Sequence, residues 1–130
     1  MTERLKPAQR HRRQWRDYRT AAGGRPVRDF FDTLTDEEAA EVVAAMKEVT
    51  DVGLEAARHL RGAIYEVRAE AQTRTFRVLF AGEGRFSQVL LSLVAFVKKT
   101  QKTPRSELDL AEDRLRQWRE RGKARKARKT

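Results

Sequence analysis

The chain has 130 residues, 39% of them hydrophobic, which suits one domain with one modest core. It has no cysteine and only His11 and His59, so disulfide frameworks and thiolate zinc sites are excluded and a histidine-rich metal centre is not expected. Lysine and arginine outnumber acidic residues 29 to 19, and a net charge of +10 predicts attraction to polyanions through their phosphates.

The charge is unevenly spread. Residues 1–28 carry 9 basic and 2 acidic groups, and residues 29–57 carry 1 and 9. Residues 58–105 carry 10 and 3, and residues 106–130 carry 9 and 5, so one acidic block interrupts a basic chain. No apolar run approaches the ~20 residues of a membrane span, and the N-terminus lacks the apolar stretch of a secretory signal. A soluble protein of the reducing cytoplasm, with no membrane partner, cofactor or metal, is expected.

In chain order, Trp15 and Tyr18 are read as part of an edge strand, although alternation there is poor. Pro26 suits a first helical position, and Val27, Phe30, Phe31 and Leu34 recur at helical spacing, so a helix is predicted over Pro26–Leu34. Thr35 then reads as an N-cap with Glu38 closing a capping box. The helix that follows carries Ala39, Val42, Val43, Met46 and Val49 on one stripe as far as Gly53. Asp36, Glu37, Glu41 and Glu48 form its solvated face.

From Ile64 the period changes to two. Tyr65, Val67 and Ala69 alternate with Glu66, Arg68 and Glu70, and after Gln72-Thr73 the alternation resumes with Phe76, Val78 and Phe80. The pattern predicts an antiparallel hairpin with one apolar face. A turn follows at Gly82-Glu83-Gly84, then a central strand over Val89–Val97, apolar enough to be covered on both sides. Thr103-Pro104 opens a last helix with Leu108, Ala111, Leu115 and Trp118 on its stripe, and Gly122 is its expected stop. Residues 1–122 are thus read as a single domain and 123–130 as a basic, disordered tail. The fold class is α+β, with two N-terminal helices on a twisted antiparallel sheet of at least three strands and a C-terminal helix.

If Gln72-Thr73 is a two-residue loop, Arg68 lies opposite Arg77 on the side away from the core. Like charges directly opposite are destabilising, so the pair calls for an anion between them or a neighbouring acid such as Glu66. Either the two guanidinium groups hold a phosphate, or they are solvated strand residues, one of them bridged to Glu66. Lys98, Lys99 and Lys102 leave the central strand at a rim where cations could meet the same ligand, although such a run can also be just a soluble loop. His59, in an expected loop with Leu60-Arg61-Gly62, is either a proton-transfer group or an exposed side chain. Trp118, Phe96 and Tyr65 are read as packing. No serine-hydrolase, phosphate-loop or zincin pattern is present.

Four segments together carry a resemblance. They are Arg25-Pro26-Val27-Arg28-Asp29-Phe30, then Leu60-Arg61-Gly62-Ala63-Ile64-Tyr65-Glu66-Val67-Arg68, then Phe76-Arg77-Val78-Leu79-Phe80, and Phe96-Val97-Lys98-Lys99-Thr100-Gln101-Lys102-Thr103-Pro104. With Ala111 and Arg114 in the last helix, their order and spacing resemble the HigB-like, phage-Gp49-like branch of the RelE/ParE toxin superfamily. The resemblance implies a RelE-like fold with a sheet of three to four strands, and a bacterial or phage origin. It implies a toxin of a type II toxin–antitoxin system that cleaves mRNA on the ribosome without a metal, silenced by a cognate antitoxin, often a helix-turn-helix protein. Arg68, Arg77, Lys98 and Lys99 would then be catalytic. Arg61, Lys102, Glu66 and His59 would belong to the RNA-binding set, and alanine at Arg68 or Arg77 is expected to remove activity without unfolding. The chain departs from the best-known members in carrying Ile64 and Glu66 in place of a lysine pair, and Leu108 where a catalytic tyrosine would be sought, so the general acid and base stay unassigned. A ParE-like toxin that binds DNA gyrase without catalysis, or a non-toxic nucleic-acid-binding relative, are the competing expectations.

Overall fold

The structure is a computed structural model that describes residues 12–129. Residues 1–11 of the expected domain and Thr130 of the expected tail lie outside the described residues. The elements are β1 (Gln14–Asp17), α1 (Pro26–Phe31), α2 (Asp36–Val52), β2 (Arg58–Arg61), β3 (Ile64–Glu70), β4 (Thr75–Glu83), β5 (Val89–Val97) and α3 (Arg105–Lys129). The five strands form one sheet in the order β1-β5-β4-β3-β2. All neighbours are antiparallel except β1 and β5, which run parallel.

The α+β class is as expected, with one strand more than foreseen. The addition is β2, where a loop was expected around His59. Its four residues hold one apolar side chain and no alternation to read. Gly62, at φ +55°, makes the tight turn that folds β2 back on β3.

Helix α1 ends at Phe31, short of the expected Leu34, because Thr35 already starts the next helix. The capping box forms as read: Glu38 N donates to Thr35 Oγ1 at 3.1 Å, and Thr35 N donates to Glu38 Oε1 at 3.0 Å. Glu38 also accepts from Thr73 Oγ1 (2.8 Å) and from both Arg74 Nε (2.9 Å) and its terminal nitrogen (3.0 Å). The cap of α2 therefore clamps the β3–β4 turn. Val42 and Val49 are buried, but Val43 faces solvent and does not belong to the stripe.

The sheet is covered on both faces, which corrects the expectation of a hairpin with one apolar side. On one face α1 and α2 pack over Val67, Ala69, Phe76, Val78, Phe80 and Leu90. On the other, Ala111 and Leu115 of α3 pack over Ile64, Leu79, Ala81, Leu91, Leu93 and Val94. A register shift beside Leu79 and Phe80 lets β5 turn Leu93 and Val94 to the same side. Both faces of β5 are thus apolar, as its sequence demands.

Strand β4 runs through the expected turn at Gly82-Glu83-Gly84 and ends at Glu83. Gly82 stays in the ladder because Ser87 folds over it; a Cβ there would lie 2.7 Å from Ser87 Oγ. Helix α3 likewise passes through its expected stop at Gly122, and the expected disordered tail is helical to Lys129. One interior glycine costs only about 1 kcal/mol relative to alanine, and the alanines, lysines and arginines around it favour helix. Arg119 Nε bonds Glu83 at 2.5 Å and a terminal nitrogen of Arg121 bonds the Arg19 carbonyl at 2.7 Å, holding the helix up to that point. Among the described residues no helix is long and apolar enough to cross a membrane.

Candidate RNA-phosphate site

The β3–β4 register puts Arg68 directly opposite Arg77, and the turn closes with Ala71 N donating to the Arg74 carbonyl at 2.9 Å. The two-residue loop at Gln72-Thr73 is therefore correct, but the two arginines differ in setting. Arg77 is fully buried, whereas the Arg68 side chain is about one-third exposed. The covering element is the segment between β5 and α3. Arg77 donates to the carbonyls of Thr100 (2.9 Å) and Gln101 (2.5 Å) and to Thr103 Oγ1 (3.0 Å). Its Nε makes no hydrogen bond.

Glu66 is the anion that the arginine pair required. Its Oε1 accepts from Arg68 Nε at 2.8 Å; its Oε2 accepts from Thr103 Oγ1 at 2.5 Å and lies 3.6 Å from Arg77. The carboxylate is buried with both oxygens engaged, so it is a counter-ion and is not free to act as a base. Burial lowers the pKa of Arg77, with Glu66 opposing that shift and the charges of Arg68 and Arg58 adding to it.

The Arg77 anchor fixes the loop that carries the lysines. Lys98 N donates to the Thr75 carbonyl (2.8 Å), its Nζ to Gln101 Oε1 (3.2 Å), and Thr100 Oγ1 to the Lys102 carbonyl (2.7 Å). Lys98 is half-buried, while Lys99 and Lys102 are exposed and have no carboxylate partner among the described residues. The structure also brings up Arg58, exposed and opposite Glu66 in the β2–β3 ladder. Nothing in the sequence marks Arg58, which lies in the unpatterned β2. Thr103 reads in sequence only as a helix opener, though it joins Glu66 to Arg77. The assembled surface is cationic: Arg58 and Arg68 on the strands, three lysines on a braced loop, and a buried ion pair beneath.

Two expected members stay apart from it. Arg61 is tied to Asp109 (2.8 Å) and Glu112 of α3, and its pKa is raised by those two carboxylates. It lies four β3 positions from Arg68, about 13 Å along the strand. His59 pairs with Tyr65 on the opposite side of the sheet, with its Nε2 2.7 Å from the Gly62 carbonyl. Tyr65 packs against Phe80, and Phe96 and Trp118 against the α3-side core, as read from the sequence. Among the described residues no group of three His, Cys, Asp or Glu side chains is placed to hold a metal ion.

Chemically, the surface can hold a phosphodiester. A guanidinium fork offers paired donors to phosphate oxygens, and Arg68 keeps its terminal nitrogens for that use because only its Nε is bound to Glu66. The profile of the family described as "Phage derived protein Gp49-like (DUF891)" matches residues 29–116, from α1 through the first half of α3. Two curated relatives, each named "Probable endoribonuclease HigB1", come from Mycobacterium tuberculosis strains CDC 1551 / Oshkosh and ATCC 25618 / H37Rv. Each is 36% identical over 107 residues, covering 80% of this chain and 83% of the relative. The matched span contains every strand of the site and the braced lysine loop. This chain belongs to the Gp49-like family of phage-derived proteins, within the HigB-like branch of the RelE/ParE toxin superfamily.

Proposed function

We propose that the chain is the toxin of a type II toxin–antitoxin system, a ribosome-dependent endoribonuclease that cuts mRNA in the cytoplasm without a metal ion. The observation that carries the reading is Arg68, about one-third exposed on the sheet and oriented through Nε by a buried Glu66, beside the braced lysine loop. The naming of the HigB1 relatives as endoribonucleases supports the class of activity.

In the proposed reaction the ribose 2′-OH loses its proton and attacks the adjacent phosphorus. The P–O5′ bond then breaks, leaving a 2′,3′-cyclic phosphate, and the departing 5′ oxygen takes a proton. Charge builds on the non-bridging oxygens, where preorganised cations do most good. Arg68, Lys98 and Lys99 supply that charge, while Arg58 and Lys102 hold the flanking backbone. Arg77 and Glu66 act beneath the surface as positioning residues, the first holding the loop and the second the Arg68 fork. A cognate antitoxin, in the expected helix-turn-helix form, silences the toxin.

Primer extension on cellular mRNA after induction tests this reading. Codon-phased cleavage ends are expected. Absence of ends, with gyrase-linked DNA breaks in their place, would assign the chain to the gyrase-binding class.

A further inference from the structure

At the far edge of the sheet from Arg68, a groove of about 580 Å³ runs between β1 and the C-terminal half of α3. It is lined by Arg16, Arg19, Arg25, Arg121 and Arg125, with Asp17 the single acid. Asp17 is already taken by Arg25, which grips it through Nε (2.8 Å) and a terminal nitrogen (2.6 Å), and this pairing lowers the Asp17 pKa. Arg121 is spent on the Arg19 carbonyl and lies over the Tyr18 ring. Arg16, Arg19 and Arg125 are exposed, and their side chains make no hydrogen bond or salt bridge among the described residues, although the charge of Arg19 acts on Asp17. Among the described residues, five arginines therefore face one groove with a single carboxylate, Asp17, whose oxygens are already gripped by Arg25.

The groove also holds a flat ring. Trp118, half-buried against the core, forms part of its wall, and Gly122 one turn on adds no side chain over it. Clustered arginines around an aromatic face are the pattern that binds single-stranded nucleic acid, cations tracking the phosphates while a base stacks. An amphipathic helix from a protein partner would need apolar anchors at helical spacing, and arginine occupies most of this wall.

We propose that this groove is a second RNA site, which takes the sugar-phosphate backbone of a single strand and stacks one base on Trp118. The inference rests on the reading of the chain as an RNA-directed protein, and it extends the RNA contact around the end of α3 to the opposite sheet edge. It also gives the helical extension of α3 past Gly122 a use, since Arg125 reaches the groove only if that segment is helical.

The test uses the full chain and a fluorescein-labelled 12-nucleotide 2′-O-methyl RNA, which has no free 2′-OH and so reports binding whether or not the protein cleaves. The variant R16A/R19A/R125A alters only exposed side chains that make no hydrogen bond or salt bridge among the described residues, and should keep the parent's circular dichroism. It is expected to bind at least tenfold more weakly by fluorescence anisotropy, with a log–log salt slope shallower by about 2, on the usual 0.7 per phosphate contact for single strands. The RNA should also quench tryptophan emission in the parent, and markedly less in Trp118→Phe, where Trp15 is the one tryptophan left in the groove wall. Binding by the triple variant within twofold of the parent would overturn the proposal. So would displacement of the RNA by polyglutamate at equal charge, which would assign the groove to an acidic protein segment. Failure of Arg68 variants to change cleavage would sink the catalytic reading and leave this binding result standing.

Discussion

Arg68 and Arg77 face one another across a single rung, yet they do opposite jobs, and the difference lies in what covers them. Arg77 is sealed under the Thr100–Thr103 backbone and shares Glu66 with Arg68. Removing it would strand a buried carboxylate and release the loop carbonyls. Arg77→Ala should therefore cost about 3–5 kcal/mol, seen as a lower denaturation midpoint, so its burial argues against the expectation that the substitution spares the fold. Arg68→Ala should cost less, because Thr103 and Arg77 still hold Glu66, and should abolish RNA cleavage at an unchanged far-ultraviolet spectrum. Arg68→Lys keeps the charge and loses the fork, so it should retain only a small part of the activity. The pairing of these arginines could be read from the strand periodicity and the loop length. The burial of Arg77 could not, since it depends on a loop more than twenty positions away and on which sheet face α3 covers.

At the level of elements, the acidic block illustrates how a local signal can hide a tertiary one. Its Thr35-Glu38 capping box was legible, but Glu38 does more than cap. Arg74 first, then the Thr35 amide and Thr73, hold its pKa at about 2, below an ordinary value of 4.5. A carboxylate depressed in this way stabilises the fold above its unfolded value, and that stability fades as pH falls from about 4.5 towards 2. Glu38→Gln should lower the melting temperature at pH 7 by several degrees, and the gap to the parent should close as melting is repeated down to pH 2. A gap that persists at pH 2 would contradict the clamp. Strand β2 and the far end of α3 were not legible for different reasons. The first has no hydrophobic pattern, being an edge strand held by its neighbour. In the second a lone glycine reads as a terminator in the sequence, although no left-handed cap forms there. Gly122→Ala, whose new Cβ would meet nothing within 4 Å, should raise helical content and stabilise by about 1 kcal/mol in thermal melting.

Across the whole molecule, a net charge of +10 says only that polyanions are attracted; the fold decides where. The acidic helix α2 and the cationic surface occupy opposite faces of the sheet, because α2 covers the side that carries Tyr65 and Phe80, while Glu66, Arg68 and the lysine loop belong to the side of α3. A polyanion is thereby drawn to the side of α3 and not to the acidic face of α2. The most direct measurement of the central claim is primer extension on cellular mRNA after equal induction of the parent and of Arg68→Ala, with both accumulating as folded protein. Codon-phased ends in the parent and none in the variant are the predicted result. Ends of equal strength in both would contradict it and move the chemistry away from the Arg68 surface.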